Sequence, residues 1–133
     1  MKDKQTITVF FACDANYIPH LTVALTSIMK NANPNNAYRF YVLEAGLDIS
    51  YKKYLDEVLV GDSTIEFVDV EKSMQSLHGK ITLRDYYTCA TYYRLFIPIL
   101  FPELDKALYL DSDIVVLDDI SKLYNIPLGN NLV

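Results

Sequence analysis

The acidic triplet Asp111-Ser112-Asp113 closes an apolar run that begins at Lys106 and ends at Leu110. Where the backbone stays extended, residues two apart point to the same face, so both carboxylates can approach one cation. Such hard oxygen donors suit Mg²⁺ or Mn²⁺, which keep positions open for water and phosphate oxygens and could neutralise a departing diphosphate. The same triplet also fits a solvated turn whose carboxylates cap nearby backbone N–H groups. A second acidic pair, Asp118-Asp119, stands where the chain turns toward Ile120, and turn or capping roles suit it better.

A second candidate cluster is Asp14-Ala15-Asn16-Tyr17, directly before a helical pattern. A carboxylate and an amide there can read the edge of a base such as uracil, with the Tyr17 ring as a stacking face; alternatively, Asp14 and Asn16 are turn and capping residues and Tyr17 a half-buried wall. Arg94 follows Tyr92 and Tyr93 on an otherwise apolar stretch. It is either a snorkelling surface cation or a charge directed at the carboxylates and a phosphate. His20 and His78 have no ligand spacing with each other or with the aspartates, and no role is assigned to them.

The elements that must position these groups alternate. Thr6 to Ala12 reads as a buried strand, Pro19 to Ala32 as an amphipathic helix, and Tyr38 to Leu43 as a second strand. Ser50 to Leu59 reads as a helix ending before Gly61, and Thr64 to Val70 as a third strand. Glu71 to Leu83 is less regular. Thr88 is an N-cap for a helix running through Phe96 toward Pro98, Pro98 and Pro102 break the stretch after it, and Lys106 to Leu110 is a short strand. The alternation implies an α/β fold with parallel strands covered on both faces and ligands collecting at their carboxyl ends.

The 133 residues, 51% of them hydrophobic, suit one compact domain. A net charge of -5 supplies no basic field for nucleic acid. The four glycines, at 46, 61, 79 and 129, allow neither a GxGxxG nor a Walker loop. Cys13 and Cys89 are far apart and form no CxxC pair, which fits a reducing cytoplasm better than a disulfide framework. The apolar run after Gln5 is too short for a signal-peptide core or a membrane span.

Taken together, Phe11 to Tyr17, Thr91-Tyr92-Tyr93-Arg94-Leu95 and Ala107 to Asp113 resemble glycosyltransferase family 8, in the right order and over essentially the whole chain. This family comprises retaining GT-A enzymes, among them bacterial lipopolysaccharide galactosyl- and glucosyltransferases and the glycogenins. The resemblance implies a GT-A, Rossmann-like three-layer α/β/α fold and transfer of a hexose from a UDP-sugar to a saccharide, glycolipid or other hydroxyl acceptor. By the same likeness Asp14 and Asn16 contact uracil, Tyr17 packs on it, and Ala12 and Cys13 line the pocket through their backbones. Asp111 and Asp113 hold Mn²⁺ or Mg²⁺ and the diphosphate, Ser112 makes backbone contacts near the ribose, and Arg94 reaches the donor.

Family members continue well past this point, supplying a histidine as third metal ligand, a lysine for the diphosphate, the acceptor pocket and the group near the anomeric carbon. Only 20 residues follow Asp113. Val133 is therefore expected to be the edge of a fragment, with the catalytic residue beyond it. A C-terminal membrane-docking segment, frequent in the family, would place the parent protein at a membrane periphery without a transmembrane helix. Two other readings remain: a module that binds UDP-sugar and metal without catalysis, and a phosphohydrolase that uses the first aspartate of the triplet as nucleophile.

Overall fold

The computed structural model describes residues 3–73 and 90–131. Four strands, β1 (Gln5–Ala12), β2 (Asn36–Glu44), β3 (Ser63–Asp69) and β4 (Leu108–Tyr109), form one sheet of order β3-β2-β1-β4. Every pairing is parallel: Gln5 lies opposite Asn36, Tyr38 opposite Ser63, and Phe10 opposite Tyr109. The chain lays β2 and then β3 on one side of β1 and returns with β4 on the other. The order reverses between β1 and β4, and at such a switch point two loops diverge to open a crevice.

Alternation along β1 builds two cores. Ile7, Val9 and Phe11 enter one apolar cluster and Phe10 the other, as the two-residue period of a strand requires. The first cluster is covered by α1 (Ile18–Lys30), whose buried Leu21, Ala24, Leu25 and Ile28 recur at helical spacing, and by Leu55 of α2 (Ser50–Asp56). On the opposite face Phe10 stacks on Tyr41 with centroids 4.9 Å apart and meets Phe101 edge-on at 5.0 Å. Tyr93 and Phe96 pack into that second cluster. The architecture is α/β with a parallel sheet covered on both faces.

Several boundaries differ from the sequence expectation. The helix expected to run to Leu59 ends at Asp56, and the chain leaves it through turn bonds from Val58 to Leu55 and from Leu59 to Asp56. The helix expected through Phe96 is a 3-10 helix over Ala90–Phe96, and its expected cap, Thr88, lies outside the described residues. Tyr93 and Phe96 are both buried three positions apart, the spacing that aligns side chains in three-residue turns. Pro98 does not break the chain but sits in the first turn of α3 (Ile97–Leu100), where a missing N–H costs nothing. The expected Lys106 to Leu110 strand shortens to Leu108–Tyr109, although the Leu110 N–H still donates to the Phe10 carbonyl at 3.0 Å. Residues 70–73 are helical, and the rest of the irregular Glu71 to Leu83 stretch lies outside the described residues. A last short helix, α4, spans Ser121–Tyr124.

Candidate functional site

The carboxyl ends of β1, β2 and β4 carry two clefts that share Cys13. The one at the β1/β4 switch point, about 280 Å³, is lined by Ala12, Cys13, Tyr17, Arg94, Tyr109 and the Asp111-Ser112-Asp113 triplet. The other, about 420 Å³, is bounded by Cys13, Asp14, Ala15, Tyr51, Tyr93 and the loop from Ala45 to Asp48 after β2.

The acidic triplet is anchored through its middle residue. Ser112, 5% exposed, donates from its hydroxyl to the Ala12 carbonyl at 2.9 Å, while Asp111 and Asp113 on either side are exposed. Both aspartates line the same cleft. A second clamp ties the chain beyond Asp113 to α1: the Val116 N–H donates to Ser27 Oγ at 2.8 Å and the Asn31 amide to the Val116 carbonyl at 3.1 Å. The residues present fit a hard divalent cation. Among the described residues no group of three or more His, Cys, Asp or Glu side chains gathers, so the two carboxylates alone would not complete the coordination of such an ion.

Arg94 is exposed and its guanidinium carbon stands 4.7 Å from the centroid of the Tyr109 ring. Burial pushes the Tyr109 phenol up, opposed by the Arg94 cation and reinforced by the Asp111 carboxylate, so both charges lie within electrostatic reach of one ring. A cation and two carboxylates thus face a single cleft.

The first-strand cluster is arranged differently. Asp14 caps the 3-10 turn Ala15–Tyr17, its Oδ1 accepting from the Asn16 N–H at 2.9 Å, and it also lines the larger cleft. Tyr17, 47% exposed, lines the switch-point cleft and leans on His20 with centroids 5.3 Å apart. Asn16 is exposed on the turn, outside the lining of both clefts. Cys13 directs its side chain into the apolar core and its N–H to the Leu43 carbonyl at 3.2 Å. Burial, with Asp14 and Glu44 nearby, pushes its thiol up to about 12, so the sulfur stays protonated and offers neither nucleophile nor metal ligand at neutral pH.

Sequence reasoning missed two parts of the site. Tyr109 reads as a core residue in a strand, and nothing in its spacing indicates that Arg94 rests on its face. The loop after β2 has a clearer signal, a glycine at a strand's carboxyl end. Gly46 has φ +73, a conformation that favours glycine, and the buried Glu44 accepts from the Leu47 N–H at 2.6 Å, folding the loop back. Burial pushes the Glu44 carboxyl up; the Leu47 bond opposes this and Asp69 adds to it. Asp119 is the capping residue expected, accepting from the Tyr38 hydroxyl at 2.8 Å and from the Ser121 N–H and hydroxyl at 3.0 and 2.6 Å.

The parallel α/β sheet, with an acidic pair after the strand that crosses to the other side of β1, is the fold of GT-A glycosyltransferases of known structure. The same fold occurs in the bifunctional glycosyltransferase WbbM in apo form (33% identity, TM-score 0.81, 96% of this chain and 22% of that one). It occurs also in the galactosyltransferase LgtC solved with donor and acceptor sugar analogs (30% identity, TM-score 0.68, 94% and 44%). The model of "Glycosyl transferase family 8" matches residues 8–133, and the chain belongs to that family. Among curated relatives, general stress protein A of Bacillus subtilis is 29% identical over 97% of this chain and 45% of its own length. A putative glycosyltransferase of Haemophilus influenzae is 30% identical over 95% and 37%. The chain spans less than half the length of these relatives. Among the described residues no helix is long and apolar enough to cross a membrane.

Proposed function

We propose that this chain forms one nucleotide-sugar-binding domain, the donor-binding part of a hexosyltransferase. The parent protein then moves glucose or galactose from a UDP-sugar to a saccharide, glycolipid or other hydroxyl acceptor in the cytoplasm. The observation that carries this reading is the gathering of Arg94, Asp111 and Asp113 around one switch-point cleft. An arginine fork matches phosphate or sugar oxygens, and two carboxylates opposite it suit a cation that bridges a diphosphate. Family membership and the sugar analogs bound by LgtC support the same choice. They also disfavour the phosphohydrolase alternative.

Asp111 and Asp113 would hold Mn²⁺ or Mg²⁺, and such an ion, when bound, supplies Lewis acidity for the departing UDP. Ser112 keeps those two carboxylates facing the donor and lies near the ribose. Arg94 adds positive charge where charge develops on the leaving group. Asp14 and Asn16 would read the uracil edge, Tyr17 would cover its face, and the Ala12 and Cys13 backbones would line the pocket. Retention of anomeric configuration is proposed on the family resemblance alone.

The test is to incubate the parent protein with radiolabelled UDP-glucose or UDP-galactose, Mn²⁺ and a panel of oligosaccharide and glycolipid acceptors. Transfer to an acceptor, or slow metal-dependent hydrolysis without one, supports the enzyme. Tight metal-dependent UDP binding with neither reaction favours the non-catalytic module, and a covalent aspartyl-phosphate would contradict both.

A further inference from the structure

The switch-point cleft contains a group to which no role has been given, the half-buried ring of Tyr109. It lies on β4 opposite Phe10 and two residues before Asp111. The Arg94 guanidinium stands over its face, with the carbon 4.7 Å from the centroid. Arg94 enters from a different element, the 3-10 helix Ala90–Phe96, and its own side chain is exposed. Rotamer freedom that an arginine loses when a ligand arrives costs affinity. An aromatic face within about 6 Å attracts the guanidinium and reduces that cost before ligand binds.

We propose that Tyr109 is a positioning residue for the donor site. Its ring holds Arg94 at the cleft, beside the outward-facing Asp111 and Asp113, so that cation and carboxylates are set for an anionic diphosphate before it enters. The ring is held in turn: Tyr109 packs against the second core cluster, and the parallel pairing sets it beside Phe10 in the sheet. The phenol hydroxyl has no part in this role; the ring face does. The inference rests on the donor-site reading above and adds to it a residue that helps to preorganise the arginine.

The experiment is a double-mutant cycle on UDP affinity in saturating Mn²⁺, measured by calorimetry on the 133-residue chain. Tyr109→Phe keeps the face and is expected to bind like the native chain. Tyr109→Leu removes the face and should weaken UDP about 2- to 30-fold, the range a cation–π contact spans. Arg94→Ala should weaken it at least as much, and Tyr109→Leu combined with Arg94→Ala no more than Arg94→Ala alone. Tyr109→Met repeats the ring deletion with a flexible side chain should the leucine variant fold poorly, and thermal unfolding identifies a variant that has lost its fold. Additive losses from the two sites, or failure of Tyr109→Phe to preserve affinity, overturn the positioning role while leaving the donor site standing. Absence of Mn²⁺-dependent UDP binding by the native chain overturns both.

Discussion

The Ser112 hydroxyl donates a 2.9 Å hydrogen bond to the carbonyl of Ala12, joining the loop after β4 to the last residue of β1 across the point where the sheet reverses. The two carboxylates beside Ser112 are exposed while its own side chain is buried. Replacing Ser112 by alanine removes the donor from a part-buried acceptor and is expected to cost about 0.5–1.5 kcal/mol of stability. Urea unfolding measures that loss. Metal-dependent UDP affinity should fall as well, because the triplet loses its anchor.

A second tether acts on the far side of the triplet. Ser27→Ala on α1 deprives the Val116 N–H of its 2.8 Å acceptor. Exchange of the Val116 amide with deuterium is predicted to accelerate about 5-fold or more, in line with a hydrogen bond worth about 1 kcal/mol. Amides in the middle of β1 should be unaffected, which separates local loosening from global destabilisation.

Asp119 ties β2 to the start of α4. Burial opposes its ionisation, but bonds from Ser121 and the Tyr38 hydroxyl outweigh burial and hold its carboxyl below the ordinary value of 3.8. The folded state therefore binds the proton less readily than the unfolded chain. Its contribution is complete above about pH 4 and disappears as the pH falls through the folded-state value. Asp119→Ala should cost about 1–3 kcal/mol at pH 7, and the native and variant stabilities should converge in acid. Equal destabilisation at pH 7 and pH 2 would contradict the assignment.

Cys13 gives the opposite sign at high pH. Its thiol is raised from 9.0 to about 12 in the fold, so the native state binds more protons than the unfolded chain between those values. Stability should decline as pH rises through this window, and less so in Cys13→Ala. In a Cys89→Ser background, iodoacetamide at pH 8 should leave the folded protein unlabelled and label it promptly in urea.

The alternating order of strands and helices was legible because β1, α1, β2 and β3 each carry a strong period. Leu21, Ala24, Leu25 and Ile28 mark one face of α1 in the sequence and are buried in the structure. Boundaries were less legible where tertiary packing outweighs local pattern. Tyr93 and Phe96 favour a three-residue turn only because a sheet lies beneath them, and Lys106 to Leu110 pairs for two residues because β4 departs early. Asp111, Asp113 and Arg94 were legible by chemistry, since charges on apolar stretches stand out. Tyr109 and the Ala45-to-Asp48 loop were not, because their surroundings arise only on folding: a guanidinium over the ring in one case, a cleft beside the loop in the other.

The most direct test of the donor-site reading is a calorimetric titration of UDP into the 133-residue chain, with and without Mn²⁺. ADP serves as the base control and the double variant Asp111→Ala with Asp113→Ala as the metal control. Binding is expected to require Mn²⁺, to prefer UDP to ADP, and to be lost in the double variant. UDP binding that is indifferent to Mn²⁺ and survives loss of both aspartates would contradict it.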